Sequence, residues 1–268
     1  MSDNMTDSKV ITPDPWAELR VHTQARVALG RSGVSMPTQE VLGFGYAHAL
    51  ARDAVHLPLD VPLLCEQLQA KGWPTVAVHS AAVDRATYLL RPDLGRRLDE
   101  ASLATLGDHA SQAACDIQLV IGDGLSSLAI SRHAVPLIEQ IRAQAPAGWR
   151  FGPIVVAQQA RVALGDVVGE RLHAKLVVML IGERPGLSSP DSLGLYLTWA
   201  PRSGRSDAER NCISNVRPEG LNYPQAVRKL LWLCREAQRL QLTGVQLKDR
   251  SDVVELGTAA AADALPSA

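Results

Sequence analysis

The feature that most restricts the fold of this chain is a run of six consecutive apolar residues, Leu176-Val177-Val178-Met179-Leu180-Ile181. A strand with one wet face alternates apolar and polar side chains, whereas an unbroken run is buried on both faces. Such a strand belongs in the interior of a sheet that helices cover on both sides. Ile117-Gln118-Leu119-Val120-Ile121 and Ile154-Val155-Val156 repeat the pattern in shorter form. The segments between them have helical character, from about Ser126 to Ala143 and from Val167 to His173. Strands that alternate with helices imply a mostly parallel sheet with crossover helices, an α/β fold.

The remaining elements extend this frame. Thr75 to Val78 and Thr87 to Leu90 read as short strands, Asp93 to Leu106 as a helix and Leu195 to Trp199 as a further strand. Asn222-Tyr223-Pro224 caps a last helix that runs to about Leu240, with Leu230, Leu231, Leu233, Cys234 and Ala237 inward. The first third is mainly helical. Trp16 to Leu29 has apolar residues near helical spacing, with Gly30 placed to stop it. A second helix starts near Pro37 or Thr38 and runs through Ala54, and a third covers Val61 to Ala70. The domain reading is a flexible tail over 1–14, a helical N-terminal region over 15–74, the sheet domain over 75–250 and a second flexible tail over 251–268.

Composition narrows the function classes. The chain has 268 residues, 46% of them hydrophobic, enough for a real core. A net charge of -1 gives no global field toward nucleic acid or an anionic membrane. No apolar run approaches the roughly 20 residues of a membrane span. The opening MSDNMTDSKVITPDP has no hydrophobic segment of a secretory signal, so a cytosolic protein is expected. Cys65, Cys115, Cys212 and Cys234 form no CxxC pair and the seven histidines show no HxxxH or HExxH spacing, which argues against a zinc or disulfide framework. Arg20, Arg26, Arg31 and Arg52 make either a solvated face or a surface for an acidic partner.

In sheets of this class ligands bind beyond the carboxyl ends of the strands. Two loops belong there, Gly122 to Ser127 and Gly182 to Ser189. The first approximates GxGxxG, but Ser127 replaces the third glycine and no acidic residue follows where a dinucleotide site wants one. Asp123 either faces a ligand or satisfies the N–H groups of a tight turn. Glu183 either accepts hydrogen bonds from ligand amides or pairs with Arg184. Cys212, in Asn211-Cys212-Ile213-Ser214-Asn215, is more plausible as a neutral contact than as a nucleophile, because no partner histidine is visible. On the residues alone the reading stops at an α/β domain with a ligand site at two glycine loops.

A set of ordered segments adds to this: Ala25-Arg26-Val27-Ala28-Leu29-Gly30-Arg31-Ser32-Gly33, Ala47-His48-Ala49-Leu50-Ala51-Arg52-Asp53-Ala54-Val55, and Tyr88 through Leu98, YLLRPDLGRRL. Ile121-Gly122-Asp123-Gly124-Leu125-Ser126, Gly182-Glu183-Arg184-Pro185-Gly186-Leu187 and Asn211-Cys212-Ile213-Ser214-Asn215 complete it. In order and spacing, from about Trp16 to Asp249, the chain resembles the small subunit of ethanolamine ammonia-lyases. The resemblance implies a Rossmann-like domain that covers adenosylcobalamin at the interface with a large, barrel-shaped subunit. That enzyme turns ethanolamine into acetaldehyde and ammonia by radical chemistry begun by homolysis of the Co–C bond, and the cofactor carries the reaction. It further implies that the catalytic groups lie on the large subunit and that this chain is inactive alone.

The resemblance places cobalamin contacts at Val162, Glu183 and Cys212, with no metal ligand supplied by this chain. The DxHxxG motif of base-off cobalamin proteins is absent, which agrees with base-on binding in the family. Six copies of each subunit are implied. A short N-terminal extension leaves open the free cytoplasmic enzyme or packaging in a bacterial microcompartment. One departure is Ala160, which stands where the family usually has glycine. Two other readings stay beside this one: a stand-alone nucleotide-binding Rossmann-type enzyme using the Gly122 loop, and a non-catalytic module that only braces a partner.

Overall fold

The computed structural model describes residues 10–109 and 115–251. Its elements in chain order are α1 (Thr38–His56), α2 (Val61–Ala70), β1 (Thr75–His79), α3 (Arg85–Leu90) and α4 (Glu100–His109), then β2 (Ile117–Gly122), α5 (Ser127–Gln144), β3 (Ile154–Gln158) and α6 (Leu164–Arg171). β4 (Leu176–Gly182), β5 (Leu193–Trp199), β6 (Asn211–Val216) and α7 (Tyr223–Leu240) follow. The strands form one sheet in the order β1-β3-β2-β4-β5-β6. β1, β3, β2 and β4 run parallel, and β5 and β6 add two antiparallel pairings. The sheet is mostly parallel, as its apolar runs require.

Every residue of β2 and of β4 is buried. One face of the sheet packs Ile117, Leu119, Ile121, Val178 and Leu180 against α2, α5 and α7. The other packs Val120, Val155, Val177 and Met179 against Leu106 of α4 and Leu164 and Val168 of α6. The long helices begin on side-chain caps: Ser126 accepts from the Ala129 amide at 3.2 Å, and Asn222 from the Gln225 amide at 3.1 Å.

Four sequence expectations need correction. Trp16 to Leu29 is not a helix: only Ala17–Val21 makes a short 3₁₀ turn, with no buried residue. Its apolar stripe has no surface to pack against, and packing rather than spacing stabilises a helix of that length. Gly30 ends no helix; with φ at +73° it turns the chain so that Arg31 pairs with Thr12 through two backbone hydrogen bonds. Thr87 to Leu90 lies in α3 rather than in a strand, because Asp84 caps the Thr87 amide at 2.7 Å and the turn buries Tyr88 completely. Asp93 to Leu106 divides into a 3₁₀ turn at Leu94–Arg96 and α4. The two terminal tails fall outside the described residues except for 10–14 and Ser251.

The N-terminal arm also departs from the compact pattern. Of the large apolar side chains exposed among the described residues, fourteen of twenty lie between Val10 and Leu57. α1 buries only Ala47 and Ala54, while Val41, Leu42, Phe44, Tyr46 and Leu50 are exposed around it.

Two glycines fix how the carboxyl ends of the strands meet. A Cβ on Gly124 would strike the Gly182 carbonyl oxygen, and a Cβ on Gly182 would strike the carbonyl oxygens of Ser126 and Asp123. The loops after β2 and β4 therefore touch backbone to backbone, sealed by the Leu125 amide on the Gly182 carbonyl at 2.9 Å. Gly182→Ala is expected to lower the unfolding free energy by about 3 kcal/mol or more. Gly107→Ala, on an open face of α4, is expected to raise it by up to about 1 kcal/mol. Urea titration of the two variants beside the parent protein checks both signs.

Candidate cofactor-facing cleft

The loops after β2, β3 and β4 enclose a cleft of about 390 Å³, lined among others by Tyr88, Leu125, Arg161, Val162, Glu183, Arg184 and Tyr196. Its floor depends on Asp123, the first residue after β2. This carboxylate is 3% exposed and accepts the amides of Gln159 at 3.0 Å and Ala160 at 2.9 Å. Asp123 is spent on amides, as the second sequence alternative has it, but those amides belong to the neighbouring strand's loop and not to its own tight turn. Burial pushes the Asp123 carboxyl up, against the opposing pull of those amides and of Arg85.

The loop after β3 carries Arg161 and Val162 into the cleft. Gln159 takes the left-handed conformation at φ 52°, and Ala160 follows without needing it. Ala160 is fully buried, and its carbonyl accepts from the Tyr88 hydroxyl at 2.9 Å. Alanine thus fits this position without strain.

Glu183 stands at the end of β4, half-buried. Its carboxylate accepts from the Ser192 hydroxyl and from the Asn215 amide at 3.1 Å, and not from Arg184. Gly194 makes room for it, since a Cβ there would lie 3.0 Å from Glu183 Oε1. A carboxylate offers about four acceptor positions, so Glu183 keeps acceptor capacity facing the cleft.

Cys212 is not in the cleft lining. It lies on β6, exposed, with its backbone paired to Tyr196 and its Sγ 3.2 Å from the Ser214 hydroxyl. Tyr196 links it to the cleft. Burial and a hydrogen bond with Cys212 push the Tyr196 phenol up. The structure therefore brings Val162 and Glu183 together and sets Cys212 beside them, one strand away behind Tyr196. Sequence reasoning missed Arg161, Tyr88 and Tyr196. Tyr196 carried no motif, Tyr88 opened one of the ordered segments without a role assigned to it, and Arg161 was marked only by its place next to Val162.

The close approach that the glycines of the Gly122 loop permit is to Met179, Ala160 and Gly182, and Gly124 also lines the cleft. In front of α5, Ser126 donates to the Pro190 carbonyl at 2.8 Å. A larger hollow of about 550 Å³ lies at the opposite end of the strands, between Trp73, Cys115, Arg142 and Arg150. Its polar groups are spent internally, Gln118 on Leu119 and Pro153, Arg142 on Lys71 and Glu139, and Arg150 on Asp116. No helix of the described residues is long and apolar enough to cross a membrane.

Comparison with known proteins decides the family. The model of the ethanolamine ammonia-lyase light chain matches residues 13–248. The chain belongs to the ethanolamine ammonia-lyase light-chain family. It is 58% identical over 260 residues to an ethanolamine ammonia-lyase small subunit of Ralstonia nicotianae, covering 94% of this chain and 95% of the relative. Small subunits of Pseudomonas aeruginosa (56% over 246 residues, 91% and 90%) and Pseudomonas putida (55% over 251 residues, 92% and 92%) are similar to it as well. Membership in this family implies a lyase. It also gives the cleft its context, since the segments that build it, from Tyr88 to Asn215, lie within the matched range.

The returning limb of the Glu183 loop is anchored by Asp191, next to Ser192. Asp191 meets Arg132 at 2.7 Å, His133 Nε2 at 3.4 Å and Arg217 at 3.6 Å. Burial works to raise the Asp191 carboxyl, but Arg132 and His133 outweigh it and hold it below its ordinary value. His133, whose Nδ1 lies 2.7 Å from the Tyr223 hydroxyl, is held below its ordinary value by burial, against the pull of Asp191. For His133 the unfolded chain takes up its proton near pH 6.5 and the folded chain only lower, so stability falls as pH drops below that value. The Asp191 contribution is lost only at lower pH, beneath the ordinary carboxylate value of 3.8. The thermal midpoint is expected to fall between pH 7.5 and pH 5.5, and by less in His133→Gln, as read by circular dichroism melts at both pH values.

Proposed function

We propose that this chain is the small subunit of an adenosylcobalamin-dependent ethanolamine ammonia-lyase and that its cleft, completed by a large subunit, holds one edge of the cofactor. The observation that carries the reading is the convergence of Val162 and Glu183 on a cleft beyond the carboxyl ends of a mostly parallel sheet. Helices on both faces support the Rossmann-like description, although the strand order differs from the dinucleotide-binding one.

The donor chemistry fits a corrin edge. A corrin periphery is a ring of neutral amide side chains, and Glu183 has acceptor positions left after Ser192 and Asn215 are served. Val162 and Leu125 offer apolar contact at the same cleft, and Cys212 contributes a small thiol behind Tyr196. When bound, adenosylcobalamin supplies a Co–C bond whose homolysis begins the radical conversion of ethanolamine to acetaldehyde and ammonia. This chain's part is to bind and orient that cofactor and to keep water from its exposed edge. A cleft this small covers part of a macrocycle and leaves the rest to another polypeptide.

The relatives' name, small subunit, points to a large one. The apolar arm supports the same dependence. Contiguous exposed apolar surface marks a site of interaction, and α1 leaves Val41, Leu42, Phe44, Tyr46 and Leu50 exposed. We assign this arm to the contact with the large subunit, in an assembly of six large and six small subunits, in the cytoplasm or in a bacterial microcompartment.

Ammonia release from ethanolamine with adenosylcobalamin is expected only when both chains are present. Full turnover by the large subunit alone would reduce this chain to a brace. Glu183→Gln is expected to weaken cobalamin binding to the complex about tenfold, the size of one lost charge-assisted hydrogen bond. Equilibrium dialysis against cobalamin measures this, and unchanged affinity would remove Glu183 from the site.

A further inference from the structure

Tyr88 carries two guanidinium groups against its ring, with Arg85 at 4.8 Å and Arg161 at 4.3 Å from the centroid. The two arginines have opposite fates. Arg85 is spent on the fold: its Nε donates to the Val55 carbonyl at 2.7 Å, and its Nη1 reaches the Gly124 carbonyl at 2.9 Å and Asp123 at 3.5 Å. Arg161 has no hydrogen-bond or ion-pair partner for its side chain among the described residues, and its buried Nε is left unsatisfied. It nevertheless lines the cleft beside Val162 and Glu183.

The side chain is held there by construction. Its own amide donates to the Gly95 carbonyl at 2.7 Å. Gly95 must be glycine, because a Cβ would lie 2.9 Å from both Arg161 Cγ and the Tyr88 ring. The nearby carboxylates are otherwise engaged, Asp123 by Arg85 and two amides, and Glu183 by Ser192 and Asn215. Arg184 lines the same cleft without an ion pair among the described residues, so two guanidinium groups of the lining stand against one carboxylate. Arg161 is half-buried with its Nε shielded from solvent, and a pre-stacked guanidinium with unused donors is the arrangement that binds a phosphate in a planar fork.

We propose that Arg161 is the anion-binding residue of the cleft and that it holds the phosphodiester of the cofactor's nucleotide loop. This rests on the cobalamin reading above. The corrin periphery consists of neutral amides, and the phosphodiester is the anionic group that the cofactor offers to an unpaired guanidinium. Tyr88 acts through Arg161 as a positioning residue, stacking the guanidinium and tying the loop through the Ala160 carbonyl.

The test uses the complex of both chains with two probes, adenosylcobalamin and adenosylcobinamide, which lacks the phosphodiester and its nucleotide. Affinity is read by equilibrium dialysis, independently of turnover. Arg161→Met is expected to weaken adenosylcobalamin binding ten- to a hundredfold and to leave adenosylcobinamide binding unchanged, while Arg161→Lys recovers part of the loss. Equal losses for both corrinoids, or no loss for either, would overturn the assignment. If the unmodified complex bound neither corrinoid, the cobalamin reading itself would fall instead. Thermal melts of both variants identify a folding defect, and if Arg161→Met fails to fold, the ratio of the two affinities in Arg161→Lys decides in the same way.

Discussion

The buried carboxylate of Asp123 ties together the segments from which the cleft is made. From the end of β2 it holds the amides of Gln159 and Ala160, and so the start of the loop that carries Arg161 and Val162. Through Arg85 it reaches the Val55 carbonyl at the end of α1 and the Gly124 carbonyl in its own loop. An ionised carboxylate in such a place is tolerated only with donors on its oxygens, and here every donor comes from an element that the cleft needs in position. The approach of Gly124 to Gly182 then brings the Glu183 loop against the same floor. The cleft is therefore a consequence of how three strand ends are locked together, before any ligand is considered.

The parts of the fold that the sequence made legible are those in which a local pattern and the tertiary environment agree. β2, β3 and β4 carry unbroken apolar runs because helices cover both of their faces. α5 and α7 carry a cap and an inward stripe that find a real surface. The misread segments are those in which that agreement fails. Trp16 to Leu29 has helical spacing but nothing beneath it, and Thr87 to Leu90 has strand-forming residues that follow the Asp84 cap into a helix. β6, read only as a polar stretch around Cys212, is an edge strand whose buried residues are Ile213 and Val216, with Asn215 in the left-handed conformation. Edge strands need little apolar sequence and leave little signal.

The candidate site divides along the same line. Val162 and Glu183 follow strands that their own residues announce, and the loops behind those strands meet. Cys212 belongs to β6, whose register against β5 sets it level with Tyr196 rather than at the strand ends. Arg161 and Tyr88 could not be read as a pair from a sequence in which 73 positions separate them, because their contact depends on Gly95 and on the Tyr88 hydroxyl reaching Ala160.

The protonation of the cleft's groups bears on where the chemistry is done. The Tyr196 phenol is pushed up by burial and by Cys212, so it keeps its proton at neutral pH. Glu183 spends part of its acceptor capacity on Ser192 and Asn215, and among the described residues no nucleophile is paired with a base in the lining. General acid–base catalysis needs a group poised to exchange a proton near the working pH, and the Tyr196 phenol is held away from that condition. Acceptors with spare capacity, a stacked guanidinium and an apolar edge are the equipment of recognition. That equipment supports the proposed role of binding and orienting a cofactor.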